Sequence, residues 1–408
     1  MTTKNYLKLS FMILLFTIVS CGSDDNEDSG GNDDNNPSIL AGTLDESFNI
    51  GTGFDNTVNV IARQSDGKIL VGGTFNKFNG QTSRCLVRLN SNGSFDNSFI
   101  GTEFSGSSLG VSSIALQPDG KILVGGHFTK FKEIIQNKLV RLNANGSLDT
   151  SFNIGTGFNN GFVDVIVVQP DGKILVGGSF NQFNGQTQNS LVRLNSNGSL
   201  DTSFNIGTGF NVAVFSIVLQ SDGKILVGGQ FTEYNGQTQK RLVRLNSNGG
   251  FDTSFDIGTG FSGNVITVAV QPEGKILAGG NFAEYNGQSR NKFVRLNSNG
   301  SIDTSFDIGT GFGIGSGSNF SSSVSSIVLQ PDGKILVGGG FLEYNVQTQK
   351  NLARLNSNGS LDTSFTIEVG FNSRVSSIIL QPDGKILAGG NFTEYNGQPQ
   401  NRLVRLHN

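Results

Sequence analysis

The sequence predicts an all-β protein, a seven-bladed β-propeller built from four-stranded blades, on three observations. One group of words recurs down the chain, and "QPDGKILVGGSFNQFNGQ" from Gln169 is one copy of it. The tripeptide Asp-Gly-Lys, once Glu-Gly-Lys, ends at Lys68, Lys121, Lys173, Lys224, Lys275, Lys334 and Lys385, at spacings of 53, 52, 51, 51, 59 and 51 residues. The composition is that of strands and turns, with 57 glycines and 32 phenylalanines, and after the first twenty residues no long stretch has apolar residues at a period of 3.6. Copies of a small unit bury together a core that no single copy could bury, so repetition points to architecture before it points to a site.

The chain opens on "MTTKNYLKLSFMILLFTIVSC", two lysines followed by an apolar run too short for a comfortable membrane span, which reads as a secretion signal over residues 1–20. Ile18-Val19-Ser20-Cys21 resembles the lipobox of bacterial lipoproteins, and the resemblance implies lipidation of Cys21. Residues 21–39 are then expected to form a flexible tether, because the six acids between Gly22 and Asn36 stand among Gly, Ser and Asn without an apolar partner. Acids just after a lipidated Cys also resemble the export signal of surface lipoproteins, so the expected location is the outer membrane, facing either the cell surface or the periplasm. Residues 37–408 carry a net charge of +1, which gives no reason to expect nucleic acid as a partner. Cys85 is the one other cysteine. With Cys21 acylated, no disulfide can form within the chain, and "CLVRL" suggests a small strand residue.

Residues 40–408 contain the propeller. Each unit parses into four strands: an apolar run such as "VSSIVLQ", then "KILVGG.F", then "LVRLN", then "LDTSF". "QPDGK" and "NSNGS" supply tight turns, "FNGQ" a looser one, and "IGTGF" leads to the next unit. The ends of the chain complement each other. "LDESF" at residues 44–48 is a fourth strand without the preceding three, whereas the last unit stops after its third strand at "RLVRLHN". Together they make one blade, so the N-terminal strand is expected to close the ring.

The pattern "LQPDGKILVGG.F…LVRLN.NGSLDTSF" resembles the delta-60 repeat family of bacterial β-propellers. The likeness covers nearly all of residues 40–408 and implies the fold without implying a ligand. The double glycine is also similar to that of kelch repeats, but the kelch Trp is missing.

Most repeated residues have an architectural reading. Gly72-Gly73 and its copies should let neighbouring backbones approach closely. Phe75, Phe128, Phe180, Phe231, Phe282, Phe341 and Phe392 should fill the space between blades. With a three-residue "SNG" loop, Leu194 faces Leu200, which puts Arg193 opposite Asp201. The same register pairs Arg88 with Asp96, Arg141 with Asp149, Arg244 with Asp252, and Arg405 with Asp45 of the N-terminal strand.

An acid needed once for catalysis would not be installed seven times, so catalysis must be sought among residues that break the repeat. His127 and His407 are far apart and lack a cluster of ligands at metal spacing, and no serine sits in a nucleophile elbow. No catalytic residue, metal site or cofactor is assigned. The expected function is binding or scaffolding by a lipid-anchored monomer that recognises a protein, peptide or glycan. A secreted glycan hydrolase or lyase with its site at the channel is the second reading, since carboxylates from different blades could pair there.

The connections from the second to the third strand, and from each blade to the next, vary most, and function on a rigid scaffold resides in such loops. They carry Lys77, Lys130 and Lys132 on the first two blades and Glu233, Glu284, Glu343 and Glu394 on the last four. They also carry Phe78, Phe131 and Phe183 and then Tyr234, Tyr285, Tyr344 and Tyr395, expected as aromatic anchors at a loop edge. The insertion over residues 313–323, flanked by Phe312 and containing Phe320, completes the expected binding face.

Overall fold

The turns form as their residues require. In the computed structural model, which describes residues 40–101, 103–106, 109–314 and 322–408, Gly172 of the "QPDGK" turn takes a φ of 81°. Gln169 N–H there donates to the Lys173 carbonyl at 2.8 Å. Gly198 of the "SNG" turn takes a φ of 92°, and Asn195 N–H donates to the Ser199 carbonyl at 2.8 Å. Between and beyond these turns run Val163–Val168, Ile174–Gly178 and Leu191–Leu194, antiparallel and in that order across the sheet. The fourth strand is short. Leu200 bridges Leu194 and Asp201 N–H donates to the Arg193 carbonyl at 2.9 Å, after which the chain turns away. It turns because the Asp201 carboxylate accepts both the Ser203 N–H at 3.1 Å and its hydroxyl at 2.7 Å, a local bond that competes with the ladder.

Seven such blades form a closed ring. Their first strands neighbour one another in succession, and the last of them, Val375–Leu380, lies beside the first, Val58–Arg63. The N-terminal segment supplies the missing fourth strand. Leu44 bridges Leu406, and Gly42, with a φ of 92°, takes the place of the "SNG" turn glycine. The core lies mainly between blades: Leu175 and Leu191 of the third blade pack with Phe210, Val214, Ile217 and Phe231 of the fourth. The double glycine lets backbones approach closely, its first residue between blades and its second within a blade. A Cβ on Gly177 would lie 2.7 Å from Val214 Cγ1 of the next blade, and one on Gly178 would lie 2.0 Å from the Phe162 carbonyl oxygen.

The charged register is the expected one. Arg193 Nε meets Asp201 at 2.7 Å, and Arg88 with Asp96, Arg141 with Asp149, Arg244 with Asp252, Arg295 with Asp303, Arg354 with Asp362 and Arg405 with Asp45 do so at 2.6 to 2.7 Å. The turn lysine joins each aspartate, as Lys173 does Asp201 at 2.9 Å. Arg193 Nη1 donates to the Ser247 carbonyl of the next blade at 2.6 Å, and its guanidinium lies 4.5 Å from the Phe204 ring. Burial by itself would raise the carboxyl pKa values, but hydrogen bonds from serine, lysine and arginine outweigh it. The groups are held below the usual range, Asp149 at about 2.

Cys85 stands immediately before the third strand Leu86–Leu89 rather than within it, with a left-handed φ of 68°. It is fully buried, and burial pushes its thiol up to about 12.

Candidate functional site

The "FNGQ" and "YNGQ" connections are tighter than their sequence suggests. Asn235 and Gly236 both take positive φ, 47° and 73°, and join the two-residue strands Glu233–Tyr234 and Gln237–Thr238 in a hairpin. This hairpin turns its aromatic residue inward. Tyr234 bridges Phe210 of the "IGTGF" segment with ring centroids 4.7 Å apart, and its hydroxyl donates to the Gly249 carbonyl of the "SNG" turn.

The expectation of exposed tyrosine anchors therefore fails. Tyr234, Tyr285, Tyr344 and Tyr395 are at most 2% exposed, with hydroxyls donating to the carbonyls of Gly249, Gly300, Gly359 and Gly42, and burial pushes those hydroxyls up. Phe312 is buried as well and pairs with Tyr344. The physical reason is that a tyrosine at this position finds both a ring to pack on and a buried acceptor, which outweighs exposure. Glu233, Glu284 and Glu394 are exposed and Glu343 is half-buried, each beside its buried tyrosine. Phe320 lies outside the described residues, as does Cys21.

Variation is instead collected at one end of the channel. Directly before the first valine of the first strand, Val58 and its counterparts, stand Thr57, Gly110, Phe162, Ala213, Asn264, Ser323 and Arg374, all different. Directly after the double glycine stand Thr74, His127, Ser179, Gln230, Asn281, Gly340 and Asn391. The two sets meet within a blade, as where Ser179 N–H donates to the Phe162 carbonyl at 3.1 Å, and also across blades. Thr57 Oγ1 of the first blade donates to Asn391 Oδ1 of the seventh at 2.9 Å. His127 of the second blade stacks on Phe162 of the third at 3.8 Å between centroids, with its Nε2 3.7 Å from Asp164 Oδ1. The insertion over residues 313–323 comes before Val324 of the sixth blade in sequence, and its residues 315–321 lie outside the described residues.

Of these residues the sequence marked only His127 and the insertion. Phe162, Asp164 and Arg374 were missed, although a comparison of the seven residues before that first valine would have exposed Phe162 and Arg374.

The opposite end is uniform, because the repeated "PDG" and "SNG" turns build it. A cavity of about 630 Å³ there is lined by Val270, Leu329 and Leu380 together with Gln271, Gln330 and Arg295. Arg295 is already paired with Asp303. No group of three or more potential metal ligands occurs among the described residues.

A ring of blades with one uniform end and one end where every blade differs defines a β-propeller scaffold with a variable channel mouth. The chain belongs to the family described as Domain of unknown function (DUF5122) beta-propeller, matched by residues 64–99, 117–152, 169–204, 220–255, 271–306, 330–365 and 381–408. Each match starts at the glutamine that opens the "PDG" turn, and the first six end at the phenylalanine after the fourth strand. The segments before the first strand, which build much of the mouth, fall between matches.

No curated protein matches the chain. Among solved structures it is similar to the extracellular domain of BT4673 from B. thetaiotaomicron. That domain is described as a one component system in one structure (16% identity, TM-score 0.52, 86% of this chain and 39% of that one) and as a hybrid two component system in another (16%, 0.51, 90% and 40%). It is also similar to puromycin hydrolase at 12% identity and a TM-score of 0.51, over 91% of this chain and 57% of that one. At these identities the likeness shows the fold, and the chain spans less than half of the BT4673 domain.

Proposed function

We propose that this protein is a cell-envelope binding propeller, anchored through Cys21, that presents its variable channel mouth to a ligand outside the cell. The observation that carries the reading is the confinement of blade-to-blade variation to one end of an otherwise uniform ring. A scaffold alone needs no such asymmetry, whereas recognition requires residues that differ around a site. The extracellular placement of the BT4673 propeller supports an envelope location, and the leader and lipobox of this chain agree with it.

Two experiments test the reading. Changing Cys21→Ala is expected to move the protein out of the membrane fraction or to block its processing; retention with normal cleavage would sink the anchor. For the site, the purified mature protein is screened against glycan and peptide arrays. The Phe162→Ala and Ser376→Arg variants at the mouth should weaken any hit at least about tenfold. Ser196→Arg and Ser298→Arg, exposed on the "SNG" turns, should leave it within about twofold. The reverse ranking would place the site at the other end.

A further inference from the structure

The mouth carries charge that the fold leaves uncompensated. Lys138, Arg241, Lys292 and Arg402 occupy one blade position, immediately before the third strand, with left-handed φ values of 70°, 75°, 68° and 74°. The backbone imposes that conformation. Lys138 N–H donates to the Phe128 carbonyl, and the Lys138 carbonyl accepts from Gly126 N–H, both at 3.0 Å. The charge is not imposed with it, because buried Cys85, Ser190 and Asn351 take the same conformation in the other three blades.

The arginine side chains reach the mouth. Arg241 Nη1 donates to the Gln230 carbonyl, and Arg402 Nη1 to the Asn391 carbonyl and, at 3.0 Å, to its Oδ1. Lys138 Nζ lies 5.5 Å from the Phe162 centroid. A fifth cation, Arg374, donates from Nε and Nη2 to Ser325 Oγ of the preceding blade at 2.9 and 2.7 Å.

The repeated lysines and arginines of the blades are paired with aspartate, and these five are not. Among the described residues no carboxylate lies within ion-pair distance of any of them, and the buried Nε atoms of Arg241 and Arg402 have no hydrogen-bond partner. Asp164, beside His127, and Asp55, which acts on Arg402 from the first blade, are the acids nearby. Lys138, Arg241, Lys292 and Arg402 are half-buried, and burial lowers their affinity for protons. A half-buried cation without a counter-charge is unfavourable in the free protein, and an anionic ligand relieves it.

The second residue of the first strand adds Asn59, Ser112, Ser376 and the half-exposed Phe215, and beside them stand the half-exposed Phe162, just before a first strand, and Asn281, just after a double glycine. This combination suits a ligand whose anions are carried on hydroxyl-rich rings, since aromatic faces and amides recognise sugar rings while cations recognise their acidic substituents. We propose that the channel mouth binds an anionic polysaccharide, with carboxylate or sulfate groups shared among Lys138, Arg241, Lys292, Arg374 and Arg402. This assignment rests on the reading of the mouth as the ligand face.

The test titrates the purified mature protein with polygalacturonate, dextran sulfate, neutral dextran and poly-glutamate. The probe variant is Lys138→Asn/Lys292→Asn, safe for the backbone because Asn351 already holds this position at a φ of 69°. At least one polyanionic glycan should bind, weaken with rising salt, and lose about tenfold or more in the double variant at unchanged melting temperature. Neutral dextran should not bind. The tighter of the two polyanions identifies the group as carboxylate or sulfate. Equal binding by parent and double variant, or no binding by either polyanion, overturns the proposal, and poly-glutamate binding as tightly as the better glycan overturns the sugar assignment. A glycan lost on Phe162→Ala but not in the double variant keeps the mouth and removes the anion. A glycan lost on Ser196→Arg removes the mouth itself.

Discussion

Deleting residues 40–54 is expected to abolish the soluble fold, whereas deleting residues 22–36 should leave the melting temperature within about 2 °C. The first deletion removes the strand that closes the ring. Gly42 N–H donates to the His407 carbonyl and His407 N–H to the Thr43 carbonyl, each at 2.9 Å. The Asp45 carboxylate accepts from Arg405 Nε at 2.6 Å and from Lys385 Nζ at 2.7 Å, and Tyr395 donates to the Gly42 carbonyl. Phe48, Ile50 and Phe54 lie in the cluster that also holds Leu387 and Leu403 of the last blade. Losing three such side chains costs about 2–5 kcal/mol each, comparable with a domain's whole stability of about 5–15 kcal/mol. The exposed edge of Leu403–Leu406 would then pair with other chains. Soluble, monomeric protein of similar melting temperature from both deletions would show that the ring does not depend on this strand.

Asp201→Ala is expected to cost about 3–5 kcal/mol in urea unfolding, because it leaves the buried guanidinium of Arg193 without its counter-charge. The double variant Arg193→Met/Asp201→Leu should recover much of that loss, since it removes both charges. A single variant costing less than about 1 kcal/mol would mean that the pair is solvated in solution. The same pair, repeated sevenfold, sets the acid response. The aspartates titrate below the usual value in the folded protein and near 4 when unfolded. Their stabilisation is therefore fully present above about pH 4 and is lost as pH falls toward 2. A urea midpoint unchanged between pH 5 and pH 2.5 would contradict this.

The sequence by itself determined the features that local chemistry controls. The turns at Gly172 and Gly198 follow from residues within four positions of each glycine. The Arg193–Asp201 register follows from a loop that joins residues eight apart. Ring closure was readable because the two ends carry complementary parts of one blade.

The orientation of the "YNGQ" hairpin was not readable. A two-residue strand such as Glu233–Tyr234 can turn either side inward, and the choice is made by Phe210, 24 residues earlier, and by the Gly249 carbonyl, 15 residues later. The mouth was readable least of all. Lys138, Arg241, Lys292, Arg374 and Arg402 come from four blades, and each alone looks like a solvated loop charge. Only closure of the ring gathers them around one axis, with no carboxylate at ion-pair distance among the described residues, because convergence is a property of the assembled blades and not of any one repeat.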